Sequence, residues 1–117
     1  MYRVTKTMEI SGAHRLNLPY TSKCKNLHGH NWIIAVECEC KDYELDNGMV
    51  IDFTHIKKEV QDKFDHQYLN NIAPFDTINP TAENMAKYIC DLIPHCVYVS
   101  VQESEGNVAE YFKEVVE

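Results

Sequence analysis

His28 and His30 lie two residues apart in Cys24-Lys25-Asn26-Leu27-His28-Gly29-His30, at the start of a segment whose even-numbered residues Trp32, Ile34, Val36, Cys38 and Cys40 are apolar. Alternate residues of a strand share a face, so both imidazoles join that apolar row at its rim. His14 closes an earlier alternating segment, on the same face as Met8 and Ile10. If the two segments pair as a hairpin, the end of one meets the start of the other and three imidazoles converge. Three His ligands without a fourth protein donor describe a catalytic metal site with an open position, zinc first among the divalent ions that accept nitrogen ligands. Cys24 stands just ahead of the pair, between Lys23 and Lys25, cations that together with a metal would lower its thiol pKa. It reads either as a fourth ligand closing a structural site or as a base or nucleophile beside the metal. Asp65-His66 sets a carboxylate next to an imidazole, an arrangement suited to proton transfer. Glu103 ends the row Val97, Val99 and Val101, either at a solvated strand end or as a bidentate acceptor for a ligand edge with two N–H groups side by side. Glu83 reads most simply as a carboxylate in the first turn of a helix. His55 and His95 read as surface positions.

Four strands and two helices are predicted to position these groups. Tyr2 to His14 and His28 to Cys40 alternate as strands, joined by a loop over Leu16 to Lys25. Phe53, Ile56, Val60 and Phe64 recur at intervals of three and four, which predicts a helix of about three turns that Asp52 can cap. A loop follows from Gln67 to Ile78. The second helix has Asn79 as its expected N-cap and Pro80 as its first helical residue. Its buried stripe is Met85, Ala86, Ile89, Leu92 and Ile93, ending at Pro94. Val97 to Glu103 and Val108 to Val115 are the expected third and fourth strands. The order β-β-α-α-β-β predicts an α+β domain, an antiparallel four-stranded sheet with both helices on one face.

At 117 residues, the chain fits one domain spanning 1–117 and leaves no room for a cleft between two lobes. The net charge of −7 argues against nucleic acid as a partner. No apolar stretch approaches the ~20 residues of a membrane helix, and the N-terminal residues lack a secretory apolar region, so the expected location is the cytosol. Five cysteines without an export signal do not suggest a disulfide framework, and Cys38, Cys40, Cys90 and Cys96 read as small buried hydrophobes. The charge is uneven. Residues 1–31 carry five basic side chains against Glu9 alone, whereas the rest carries six basic and seventeen acidic ones. Arg15, Lys23 and Lys25 therefore give the histidine region a local positive field that total charge conceals.

Six motifs in order resemble the 6-pyruvoyltetrahydropterin synthase family across nearly the whole chain: Ser11-Gly12-Ala13-His14-Arg15-Leu16, Cys24-x3-His28-Gly29-His30-Asn31, Gly48-Met49-Val50-Ile51-Asp52-Phe53, Asp65-His66-Gln67-Tyr68-Leu69-Asn70, Asn79-Pro80-Thr81-Ala82-Glu83-Asn84 and Val101-Gln102-Glu103. The three residues between Cys24 and His28 are similar to the bacterial 6-carboxy-5,6,7,8-tetrahydropterin synthase branch of queuosine biosynthesis, the animal pyruvoyl branch having a longer gap. The resemblance implies the tunnelling fold (T-fold) and a homohexamer of two stacked trimers. It implies Zn²⁺ on His14, His28 and His30, a catalytic triad of Cys24, Asp65 and His66, a pterin anchor at Glu103, and a pterin-pocket role for Thr81 and Glu83. The implied lyase reaction converts 7,8-dihydroneopterin triphosphate to 6-carboxy-5,6,7,8-tetrahydropterin, acetaldehyde and triphosphate. The alternatives are a pyruvoyl-type triphosphate lyase and a non-catalytic structural zinc module. Gly12 departs from the family pattern, which often has Ala there, with no functional consequence evident from sequence.

Overall fold

In the computed structural model, which describes residues 1–114, the two alternating segments form strands β1 (Tyr2–His14) and β2 (His28–Cys40), paired antiparallel from Tyr2↔Cys40 to His14↔His28. Helix α1 (Phe53–Phe64) follows, and Asp52 caps it by accepting from the Thr54 N–H at 2.9 Å. Next come β3 (Gln67–Tyr68), helix α2 (Ala82–Leu92), β4 (Cys96–Ser104) and β5 (Asn107–Phe112). Of the expected fourth strand, Val108 to Phe112 lies in β5, and Val115 lies outside the described residues.

The fold is α+β as expected, but the sheet has five strands in the order β3-β1-β2-β4-β5 and is mixed. β3 pairs parallel to β1, with Gly12 opposite Gln67 and Ala13 opposite Tyr68. It falls inside the expected loop because two residues are too few to show an alternation. Gly12 has a physical role here. A Cβ at that position would lie 2.9 Å from the Gln67 carbonyl oxygen and 3.3 Å from Cζ3 of Trp32, so only glycine lets β3 come this close to β1.

The start of α2 also corrects the sequence expectation. Its N-cap is Thr81, whose hydroxyl accepts from the Asn84 N–H at 3.1 Å, and Pro80 precedes the helix. Asn79 cannot cap because its side-chain amide is already engaged, accepting from the Asn17 N–H at 2.8 Å and donating to the Asn17 carbonyl at 2.9 Å.

One face of the sheet carries the core. Trp32, Ile34, Val36 and Cys38 of β2 and Val99 and Val101 of β4 are fully buried against Ile56, Val60 and Phe64 of α1 and Met85, Ala86, Ile89 and Cys90 of α2. Each large side chain buried in this way contributes roughly 1.5–3 kcal/mol. The other face is polar, with Arg3 paired to Glu39 across the hairpin. Cys38, Cys40, Cys90 and Cys96 are free and buried, as their sequence setting implied.

Candidate metal centre and active site

The hairpin register brings the histidines together. His14 lies opposite His28, and His30 lies opposite Gly12 two residues back. One ligand atom from each ring falls within 4.8 Å of the other two. The ring centroids are 4.5 Å (His14–His28), 4.8 Å (His28–His30) and 5.1 Å (His14–His30) apart. Trp32 forms the floor, edge-on to His14 at 5.0 Å and to His30 at 5.2 Å.

Backbone carbonyls set the ring orientations. His14 Nδ1 is 2.7 Å from the Pro80 carbonyl oxygen, and His28 Nδ1 is 2.7 Å from that of Asn26. A carbonyl accepts only, so each Nδ1 carries a proton, which leaves Nε2 as the nitrogen free to ligate. Burial lowers the pKa of both His14 and His30, favouring the neutral, ligating form. The Nε2 atoms of His14 and His30 are buried and have no hydrogen-bond partner. Buried polar nitrogens left without a partner are costly unless something occupies the space between them. Three nitrogen donors, two held by carbonyls, fit a divalent transition metal.

Glu103 comes from the end of β4. Its Oε1 is 3.5 Å from His14 Nε2 and 3.6 Å from His30 Nε2. The same side chain lines a 420 Å³ cleft shared with Ala82, Glu83, Asn107 and Glu110. It also lines a 480 Å³ recess with Ser11, Gly12, Gly29, His30 and Asn31. Glu83 thus shares a cleft with Glu103, and Thr81 is one residue from its wall with its hydroxyl committed to capping.

Asp65 and His66 sit at the α1–β3 junction and are latched to β1 at one residue. Asp65 Oδ1 accepts from the Ser11 N–H at 2.9 Å, and the His66 N–H donates to the Ser11 carbonyl at 2.6 Å. Asp65 Oδ2 is 3.5 Å from His66 Nε2. His66 adopts a left-handed backbone (φ 59°), uncommon for a side chain bearing a Cβ, and its side chain is 80% exposed.

Cys24 lies half-buried in a single 3-10 turn, Lys23–Lys25, and its carbonyl accepts from the Leu16 N–H at 2.8 Å. Two distant amides flank the residue it holds. Asn70 pairs with both backbone groups of Arg15, at 2.9 Å each, as Asn79 does with Asn17. Among the described residues, Cys24 is not in the cluster of metal-ligating atoms, and no hydrogen bond joins it to His66. The structure therefore unites His14, His28, His30 and Glu103, and separately Asp65 with His66.

A sequence model described as 6-pyruvoyl tetrahydropterin synthase matches residues 3–114. The chain belongs to that family. It is 33% identical to the 6-pyruvoyl tetrahydrobiopterin synthase of Dictyostelium discoideum, over 92% of this chain and 93% of that protein. It is 28% identical to the 6-carboxy-5,6,7,8-tetrahydropterin synthase of Bacillus subtilis, over 94% of this chain and 84% of the relative. Among solved structures, the 6-pyruvoyl tetrahydropterin synthase of Caenorhabditis elegans superposes with a TM-score of 0.72 at 27% identity, covering 97% of this chain and 96% of that one. The architecture is the family's tunnelling fold.

Several functional positions escaped sequence reasoning. The Pro80 and Asn26 carbonyls orient two rings, and a backbone carbonyl leaves no mark in a sequence. Trp32 was visible as part of the apolar row that His28 and His30 begin, which was the available sign that it floors the site. No helix is long and apolar enough to cross a membrane among the described residues.

Proposed function

We propose that this family member is a zinc-dependent lyase that converts 7,8-dihydroneopterin triphosphate to 6-carboxy-5,6,7,8-tetrahydropterin, acetaldehyde and triphosphate, in the cytosolic pathway to queuosine. The observation that carries the reading is the convergence of three imidazoles, two of them oriented by backbone carbonyls, with Glu103 beside His14 and His30. Relatives bear both carboxy and pyruvoyl names, so the carboxy reading rests on the three-residue spacing of Cys24 and His28. A Zn²⁺ held by Nε2 of His14, His28 and His30 would supply Lewis acidity, lowering the pKa of a substrate hydroxyl.

The chain's own groups do the rest. Cys24 Sγ, as thiolate, takes a proton from the substrate side chain. His66, oriented by Asp65, returns or relays protons at its imidazole. Glu103 and Glu83 accept from the paired N–H groups of the pterin and hold its side chain toward the histidines. Arg15, Lys23 and Lys25 are exposed beside Cys24 and favour the triphosphate end. The exposed His66 ring, which makes no hydrogen bond to Cys24 among the described residues, supports a site completed by a second copy, in a hexamer built from two trimers.

Incubation with dihydroneopterin triphosphate tests the reading. Acetaldehyde release supports it, while triphosphate release without acetaldehyde replaces it with a pyruvoyl-type lyase. Cys24→Ala should abolish turnover and leave the metal bound. A variant that loses the metal instead would make Cys24 a ligand and the site structural.

A further inference from the structure

β1 ends at His14, where β2 begins opposite it, so Arg15, Leu16 and Asn17 run on past the hairpin with no strand beside them. Their backbone groups are paired all the same. Asn70 Oδ1 accepts from the Arg15 N–H, and Asn70 Nδ2 donates to the Arg15 carbonyl, each at 2.9 Å. Asn79 does the same for Asn17, at 2.8 and 2.9 Å. A side-chain amide offers the donor and acceptor of a peptide group, so each asparagine stands in for one residue of a missing strand. Backbone groups alternate sides along an extended chain. Ser11 turns both of its groups toward Asp65 and His66, and Arg15 and Asn17 turn theirs toward the two amides. Leu16, between them, turns its N–H the other way, onto the Cys24 carbonyl at 2.8 Å.

The turn that carries Cys24 has little else to hold it. None of Lys23, Cys24 and Lys25 is buried, and among the described residues the other hydrogen bonds around them stay within residues 22–28. The two amides come from segments already tied to the site. Asn70 lies in a 3-10 turn directly after Asp65, His66 and β3. Asn79 precedes Pro80, whose carbonyl faces His14 Nδ1, and its own carbonyl accepts from Asn84 Nδ2 at 2.8 Å.

We infer that Asn70 and Asn79 are positioning residues for Cys24. This rests on the proton-transfer role proposed for Cys24 above. Neither amide touches a reacting atom. Together they keep Arg15 to Asn17 extended, which aims the Leu16 N–H at Cys24 and holds its turn beside the histidines. Without them that tripeptide has solvent for a neighbour, and the turn loses its one hydrogen bond to the rest of the fold among the described residues.

Hydrogen exchange, thiol alkylation and steady-state kinetics on the full chain test the inference, in wild type, Asn70→Ala, Asn79→Ala and Asp52→Ala. The last removes the N-cap of α1 and destabilises the protein without touching the loop. Loss of two hydrogen bonds should speed exchange of the Leu16 amide about 5–30-fold in either amide variant. Cys24 should also react faster with iodoacetamide. The other four cysteines are buried, so this reaction reads Cys24. With dihydroneopterin triphosphate, Asn79→Ala should lower kcat about tenfold or more at little change in KM, since Asn17 brings no charge to the triphosphate. Asn70→Ala should lower kcat and also raise KM, because it frees Arg15. Asp52→Ala should match wild type in every readout. If an alanine variant does not fold, Asn79→Asp takes its place. Its carboxylate still accepts from the Asn17 N–H but meets the Asn17 carbonyl without a proton, and it should shift each readout in the same direction. Unchanged Leu16 exchange and Cys24 reactivity in both amide variants overturn the inference. So do wild-type kcat in both, a loss confined to KM in Asn79→Ala, or equal shifts in Asp52→Ala. If wild type shows no turnover, the lyase reading falls, and exchange and alkylation still decide whether the amides hold Cys24.

Discussion

Asp65 makes two contacts with different chemistry, and two substitutions separate them. Its Oδ1 accepts from the Ser11 N–H at 2.9 Å, a part-buried bond that fixes the end of α1 to β1, while Oδ2 is 3.5 Å from His66 Nε2. A hydrogen bond to a charged acceptor contributes about 1.5–3 kcal/mol and a neutral one about 0.5–1.5 kcal/mol. Asp65→Asn keeps an acceptor for Ser11 and so loses roughly 1 kcal/mol. Part of that returns, because Asp65 is the C-cap of α1 and a negative charge there opposes the helix dipole by about 0.3–1 kcal/mol. Asp65→Ala loses the whole bond and leaves the Ser11 N–H unpaired, costing about 1.5–3 kcal/mol. Urea midpoints at one fixed protein concentration should therefore rank wild type close to Asp65→Asn, with Asp65→Ala clearly lower. Turnover should rank differently, falling by about 10²–10⁴ in both variants, since both remove the charge that orients His66. Asp65→Asn with wild-type turnover would refute the catalytic half of this argument. Asp65→Ala with a wild-type midpoint would refute the structural half.

Gly12→Ala should cost about 1–3 kcal/mol, because the new methyl meets a backbone oxygen at 2.9 Å and a buried indole at 3.3 Å, neither free to move; an unchanged melting temperature would show that β3 is held loosely. Metal-free protein should lose stability as pH falls below about 6.5. Burial lowers the His14 and His30 pKa values, so the unfolded chain takes up protons first, and their contribution is complete above the unfolded pKa and declines toward the folded ones. Urea midpoints of dialysed protein at pH 7.5 and 5.5 check the sign, and the drop should shrink in His14→Asn. Asn79→Ala removes both hydrogen bonds to Asn17, worth about 1 kcal/mol each, and should alter the alkylation rate of Cys24 while leaving zinc affinity in place. Unaltered thiol reactivity would mean the loop holds Cys24 without that amide.

The three-histidine cluster was legible because one simple rule carried it. A period of two puts His28 and His30 on a face, a hairpin puts His14 opposite His28, and the observed register is the one that rule requires. The parts that were not legible depend on pairings between residues far apart in the chain. Asn79 has the composition of a helix cap, but its amide serves a backbone 62 residues away, and the cap passes to Thr81. Gly12 looked incidental until β3, a two-residue strand with no periodic signature, was found pressed against it. The approach of Glu103 to the imidazoles needs β4 to pair with β2, a contact between segments separated by both helices.

On the proposed reading, the charge layout orients the substrate before any residue contacts it closely. The 420 Å³ cleft is walled by Glu83, Glu103 and Glu110, a concentration of carboxylates hostile to a triphosphate and suited to the N–H edge of a pterin. The exposed cations Arg15, Lys23 and Lys25 belong to the loop that carries Cys24 and follows His14. An anion entering the field of that loop and a ring drawn to the carboxylates leave the connecting side chain at the histidines. The net charge of −7 is thus no obstacle to an anionic substrate, because the acidic excess lies in the chain beyond residue 31 and the basic side chains stand beside the metal ligands. Separation of the two signs, not their sum, is the electrostatic property this site uses.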